Sequence, residues 1–133
     1  MTNLELVRAI ANEEQADISL YAGESSLFLK KIKGGADIAG TFKAFALDEQ
    51  AHLNALSAAA GLKLNPKPRS IPPFSSLRKT LRMHLARENA GIKLYEALLN
   101  YCEKESEKTA IKRILLQEAH HLKVIKKYLL LIG

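Results

Sequence analysis

Apolar residues recur at the helical period of 3.6 along four long stretches of this chain, and only three breaks separate them. Helix A is expected over 3–32, stopping at the Gly34-Gly35 pair. Helix B is expected over 37–61, with Asp37 as its N-cap. Either Ser75 or Ser76 suits the N-cap of helix C, which runs to about 101, and helix D covers 105–131. A and B, like C and D, are joined by short turns, so each pair is expected to be an antiparallel hairpin.

The middle break is different. LKLNPKPRSIPPF carries Pro66, Pro68, Pro72 and Pro73, which no helix tolerates. Helix B would be about 36 Å long at 1.5 Å per residue, and the thirteen-residue break stretches to about 43 Å when extended. That length just suffices to return the chain along the bundle, leaving B and C parallel. The expected architecture is therefore all-α: a four-helix bundle of two antiparallel hairpins, 3–60 and 76–131, joined by a long B–C crossover, 61–75. At 133 residues it is read as a single domain.

Each apolar stripe is interrupted by an acid. Helix A carries Glu14 between Ile10 and Ile18, and helix C carries Glu88 between Leu85 and Ile92. Helix B carries Glu49 and His52 between Phe45 and Leu56, and helix D carries Glu118 and His121 between Ile114 and Ile125. Buried carboxylates repel one another and are costly unless neutralised, and the stripes hold no lysine or arginine. Two divalent cations would balance four carboxylates. The i, i+3 spacing of Glu49 with His52 and of Glu118 with His121 sets both side chains on one face, within reach of a shared ion. Carboxylate with imidazole suits iron, manganese or zinc better than magnesium.

The pattern also repeats. Tyr21 follows Glu14 by seven residues and Tyr95 follows Glu88 by seven, while Glu49-Gln50-Ala51-His52-Leu53 answers Glu118-Ala119-His120-His121-Leu122. Each hairpin is thus expected to give half of a two-metal site, related by a pseudo-two-fold axis. Counted from its turn, Glu14 sits about 7 Å farther out than its partners on helix B, so Glu13 and Asp17 are reserve ligands. The two tyrosines are expected in the core with their hydroxyls bonded to a ligand or to a helix carbonyl; the sharper alternative is a donor to a ligand carboxylate, or a redox-active role. His84, one turn before Glu88, is either a neighbour of the ligands or a partly exposed core histidine. His120 is expected to face solvent and Cys102 to be inert packing.

Paired E…ExxH hairpins resemble the ferritin-like diiron superfamily over essentially the whole chain, and the Glu-x6-Tyr pattern and size resemble the rubrerythrin group most. The resemblance implies a centre of two iron ions (Mn or Zn in their place) held by Glu14, Glu49, His52, Glu88, Glu118 and His121. It implies an oxidoreductase that reduces hydrogen peroxide or O2 with electrons from a separate donor, such as rubredoxin or a reductase. Rubrerythrins usually carry a four-cysteine rubredoxin-type domain, absent here. Many have a further glutamate three residues after the helix C ligand, where this chain has Gly91, so the resemblance does not extend to their ligand-switching chemistry. The alternatives are an O2-dependent hydroxylase of the demethoxyubiquinone hydroxylase type, and a ferroxidase or iron-handling protein. A bundle whose ExxH motifs are vestigial is the third class.

Composition bears on partners. The net charge is +6, but the basic residues are scattered, without interleaved aromatics or a nucleic-acid-binding motif, so a solvated surface is expected. No apolar run approaches the ~20 residues that span a bilayer. The opening MTNLELVRAIANEEQ reads as amphipathic helix, not as a secretory signal. Cys102 is the only cysteine, which excludes an internal disulfide and a cysteine-based metal site and fits the cytoplasm. Because the crossover is barely long enough, a homodimer is expected, with exchange of hairpins as one way to relieve it.

Overall fold

The computed structural model describes residues 3–66 and 76–132, which form four helices and no strand: α1 Asn3–Lys31, α2 Ala36–Ala60, α3 Leu77–Leu99 and α4 Glu105–Leu131. All four expected helices are present, and their ends move by no more than two residues. Most of the expected crossover, from residue 67 to 75 with Pro68, Pro72, Pro73 and Ser75, lies outside the described residues. None of the described helices is long and apolar enough to cross a membrane. Two compact units emerge. One holds α1 from Ala11 onward together with α2; the other holds the first turns of α1, to Ile10, with α3 and α4.

In the first unit α1 and α2 run antiparallel, as their contacts require. Phe28 meets Phe42, Tyr21 meets Phe45, and Glu14 meets His52. Partners thus climb along α2 as they descend α1. The aromatic cluster at the turn end is dense. Tyr21 sets its ring edge-on to Phe42 at 4.8 Å and to Phe45 at 5.5 Å, contacts worth about 0.5–1.5 kcal/mol each beyond the area they bury.

Two glycines make the turn, for different reasons. Gly34 adopts φ +73°, the left-handed region, which L side chains enter at a cost. Gly35 has an ordinary φ of −74°, but a Cβ there would sit 2.2 Å from the Phe28 carbonyl oxygen. Only a residue without a side chain lets α2 start so close to the end of α1. This corrects the expected cap. Gly35, pressed against Phe28, occupies the N-cap position with no side-chain bond, and Asp37 falls inside the first turn. There its charge still favours the helix dipole. At the other end α2 closes on Gly61, also left-handed at φ +66°.

In the second unit Ser76 caps α3, its hydroxyl oxygen accepting from the Lys79 N–H at 3.1 Å. The turn into α4 is tight: the N–H groups of Asn100, Tyr101 and Cys102 donate back to Ala97, Leu98 and Leu99. The Cys102 thiol donates to the Leu98 carbonyl at 3.5 Å. Partial burial, with Glu107 nearby, raises its pKa, which keeps it protonated and matches a packing role.

The buried face of α3 is turned slightly from the expected stripe. Leu81, Glu88 and Tyr95 are buried as expected, but Thr80, His84 and Leu98 join them, while Leu77, Leu85, Ile92 and Leu99 are only half-buried. The buried tyrosine and the buried glutamate set the inward direction, and the leucines and isoleucine spread along its edge. On α4 the buried residues are Ile111, Ile114, Glu118, His121 and Ile125; Leu122 and Leu129 are half-buried and His120 is exposed.

Candidate metal centre

Each compact unit contains one carboxylate–carboxylate–imidazole triad, and each is built in the same way. In the first unit Glu14 comes from α1, and Glu49 and His52 lie one turn apart on α2. His52 Nδ1 is 3.3 Å from Glu14 Oε2 and 3.6 Å from Glu49 Oε1. In the second unit Glu88 comes from α3, and Glu118 and His121 lie one turn apart on α4. His121 Nδ1 is 3.3 Å from Glu88 Oε1. One ligand atom from each of Glu14, Glu49 and His52 falls within 4.8 Å of the others, and the same holds for Glu88, Glu118 and His121. All six residues that the sequence singled out are therefore gathered into triads.

The expected mismatch in height between Glu14 and helix B does not arise. The level partner of Glu14 across the hairpin is His52, and Glu49 lies one turn nearer the connection, its oxygen still within reach of the imidazole. Glu14 thus lies with Glu49 and His52. Asp17 is buried but belongs to neither group, and Glu13 is half-buried.

Burial makes these triads chemically demanding. Glu14 is 3% exposed, Glu49, Glu88, Glu118 and both histidines 2% or less. Among the described residues no lysine or arginine is buried, so none of their fixed cations sits at that depth. The consequence is visible at Glu88. Burial first, and then the carboxyl of Glu118, lift its pKa from 4.5 to about 7, against the opposing pull of His121. A divalent cation would reverse that penalty, supplying the charge that two carboxylates and a neutral imidazole are arranged to receive. Both histidines turn Nδ1 toward the facing helix's carboxylate, which leaves Nε2 as the outer nitrogen of each ring. The donor sets fit a borderline transition ion such as iron, manganese or zinc.

Three further groups occupy the same depth. Tyr21 and Tyr95 are wholly buried, in keeping with their repeated place two turns from a ligand-type glutamate. His84, for which the sequence allowed partial exposure, is 0% exposed. Its position four residues before Glu88 was the available signal. Glu24 and Ser25 on α1 are buried as well; their place between Tyr21 and Phe28 in the helical period was the available signal, masked by their polarity. Ser25 is explained by its bond to the Ala39 carbonyl, which only the hairpin register reveals.

Comparison with known proteins places this geometry. Residues 5–130 match the family model described as the ferritin-like domain. Among solved structures, the bacterioferritin BfrA of Mycobacterium tuberculosis superposes with a TM-score of 0.83 at 19% identity, covering 98% of this chain and 85% of that one. A bacterioferritin of Rhodobacter capsulatus, described with a metal-free dinuclear site and haem iron, gives 0.78 at 23% identity, covering 97% and 84%. A search of curated proteins finds no match. At such identities the likeness establishes the fold, a ferritin-like four-helix bundle.

Proposed function

The chain belongs to the ferritin-like domain family, and on that premise we propose that it is a non-haem dimetal protein of iron chemistry, a ferroxidase that takes up ferrous iron and oxidises it. The observation that carries this reading is the duplicated triad. Two buried Glu, Glu and His sets, each with a 3.3 Å imidazole–carboxylate contact across its hairpin, offer one ion apiece a matched set of donors. The two solved structures described above are bacterioferritins, which supports iron handling ahead of the rubrerythrin-type peroxide reduction that the sequence resemblance implied.

Glu14, Glu49 and His52 would hold one ion and Glu88, Glu118 and His121 the other. Bound iron supplies the one-electron redox couple that O2 or hydrogen peroxide consumes. The chain's own contribution is positioning and charge. Its carboxylates favour the ferric over the ferrous state because they place anions around the higher charge. Burial keeps bulk water from competing for the ions. Glu88 holds its proton near neutral pH in the metal-free chain and must release it when a cation enters. A reductive role with an external electron donor remains the second reading, in which peroxide would be the substrate and the iron would cycle. Assembly as a homodimer, with or without exchanged hairpins, and residence in the cytoplasm belong to the same proposal.

The test is metal analysis of the purified protein, followed by aerobic addition of ferrous iron. About two ions per chain, with loss of ferrous iron faster than in buffer, supports the ferroxidase. Oxidation driven by peroxide and reversed by an external donor would favour the reductive reading. Magnetic coupling in the oxidised protein reports whether the two ions act as a pair. Absence of stoichiometric metal after reconstitution rejects both, and a mass in solution checks the dimer.

A further inference from the structure

The antiparallel pairing of α3 with α4 brings together charges that lie far apart along the chain. Two contacts fix its register. Glu88 faces His121 at 3.3 Å. Ten residues back along α3, the Arg78 guanidinium donates at 3.4 Å to the carbonyl of Ile132, eleven residues on from His121. Arg82 therefore comes level with Lys127, and Lys79 with Leu130. Lys79, Arg82, Lys126 and Lys127 are all exposed, and more than forty residues separate the first two from the last two in sequence. No aspartate or glutamate occurs from Ser76 to Arg87 or from Leu122 to Ile132. At the turn end of the same hairpin acids and bases interleave instead, as in Glu103-Lys104-Glu105. The hairpin is thus polarised, with cations alone at one end.

The same end exposes apolar surface. Leu130 is 83% and Leu131 71% exposed, while Ile125 on the same helix is buried. At 100° per residue the two leucines stand about 140° and 120° from Ile125 around the helix axis, so they do not continue the inward stripe. They lie one turn beyond Lys126 and Lys127 and share their outward side. Lysines beside exposed leucines are what an anionic lipid interface selects: the cations meet acidic headgroups and the leucines enter the boundary beneath them. Other anionic partners would use the charge and leave the leucines in water. A nucleic-acid backbone gains nothing from them, and the half-buried Tyr128 is the one aromatic in 76–87 and 122–132 on which a base could stack. A second copy of the same face would meet like charge.

We propose that this end of the α3–α4 hairpin docks on an anionic lipid surface, with Lys79, Arg82, Lys126 and Lys127 at the headgroups and Leu130 and Leu131 below them. The contact is peripheral, since no described helix is long and apolar enough to cross a membrane. It is independent of the metal-holding reading and applies to the metal-free chain as well.

The experiment sediments the full chain with vesicles of phosphatidylcholine mixed with phosphatidylglycerol, and with vesicles of phosphatidylcholine alone. Binding to the mixed vesicles only, weakening as salt is added, is expected. Equal binding to both, or to neither, would overturn the proposal. Lys126→Gln with Lys127→Gln is expected to lower affinity on the order of tenfold. Lys104→Gln with Lys112→Gln, the same change of charge toward the turn end, is expected to lose clearly less; an equal loss would mean that net charge alone drives binding, and would overturn the site. Leu130→Ala with Leu131→Ala keeps every charge and a good helix former, and is expected to lose several-fold. Binding as tight as that of the unaltered chain would show a polyanion site in place of a lipid site. Duplex DNA, held more tightly than the mixed vesicles and equally by the leucine variant, would assign the face to nucleic acid and overturn the proposal. All the substituted side chains are exposed or at the surface, and circular dichroism checks that each variant folds; the lysine and leucine pairs test the face separately should one of them not.

Discussion

Nδ1 of His121 and Oε1 of Glu88 stand 3.3 Å apart across the α3–α4 hairpin, both almost wholly removed from solvent. The carboxyl in this pair has a pKa lifted to about 7, chiefly by burial. Between pH 4.5 and about 7 the folded, metal-free chain holds a proton at Glu88 that the unfolded chain has released. Its stability is therefore expected to fall as pH rises through that window, by a few kcal/mol at most, and to level off above it. Urea titrations of the metal-free protein at intervals from pH 4.5 to 8 measure this directly. Stability that rises with pH across the window would contradict the assignment.

Metal should act in the opposite sense. A cation binds the ionised carboxylate, so affinity is expected to increase with pH up to about 7, with release of protons on binding. Calorimetry of Co(II) binding in buffers of different ionisation enthalpy counts the protons released. A proton count of zero at pH 6 would contradict the charge state given to Glu88.

Since each triad draws its three side chains from one unit, losses of bound metal should be separable. His52→Ala is expected to remove one ion and leave the second bound, and His121→Ala to do the same from the other side. The double variant should retain neither. Metal content by elemental analysis, with circular dichroism as a control for folding, distinguishes this from a single ion shared by all six ligands, which either substitution would release.

The two turn glycines predict unequal costs. Gly34→Ala forces a side chain into φ +73° and is expected to lose about 1 kcal/mol. Gly35→Ala must displace the Phe28 carbonyl from 2.2 Å and should lose clearly more, in the range of overpacked cores at about 1–3 kcal/mol or above. Thermal midpoints of the two variants give the order, and an equal loss would mean that α2 can slide away from α1 at little cost.

Ser76→Ala removes the one side-chain bond to the Lys79 N–H and should cost about 1 kcal/mol, which lowers the midpoint by a few degrees in a chain of this size. Ser76→Asp should restore it, because an aspartate accepts the same bond and adds favourable charge at the helix start.

The helices and all six triad residues were legible in the sequence because both follow from one signal, the 3.6-residue period with acids in its apolar phase. Glu49 with His52, and Glu118 with His121, lie on single helices, where spacing alone fixes the geometry. What escaped depended on how helices meet. The cap of α2 went to Gly35 instead of Asp37 because the deciding atom, the Phe28 carbonyl oxygen, belongs to another helix. Glu14 was placed about 7 Å farther from the turn than its helix B partners, because residue counting cannot see the hairpin register, which sets it against His52. The slight rotation of α3 went unseen since Leu85, Ile92 and Leu99 are as apolar as any core residue, and only packing shows them at its edge.

The close approach of Gly35 to Phe28 also sets a limit on how this chain can change its length. With the start of α2 seated against the end of α1, the connection is the zero mark from which both ligand-bearing faces are measured. One residue inserted there would advance every later position of α2 by about 1.5 Å and swing it by about 100° around the helix axis. Glu49 and His52 would then turn away from Glu14 together. Natural variation in the family should therefore spare the spacing of this hairpin even where its side chains have drifted.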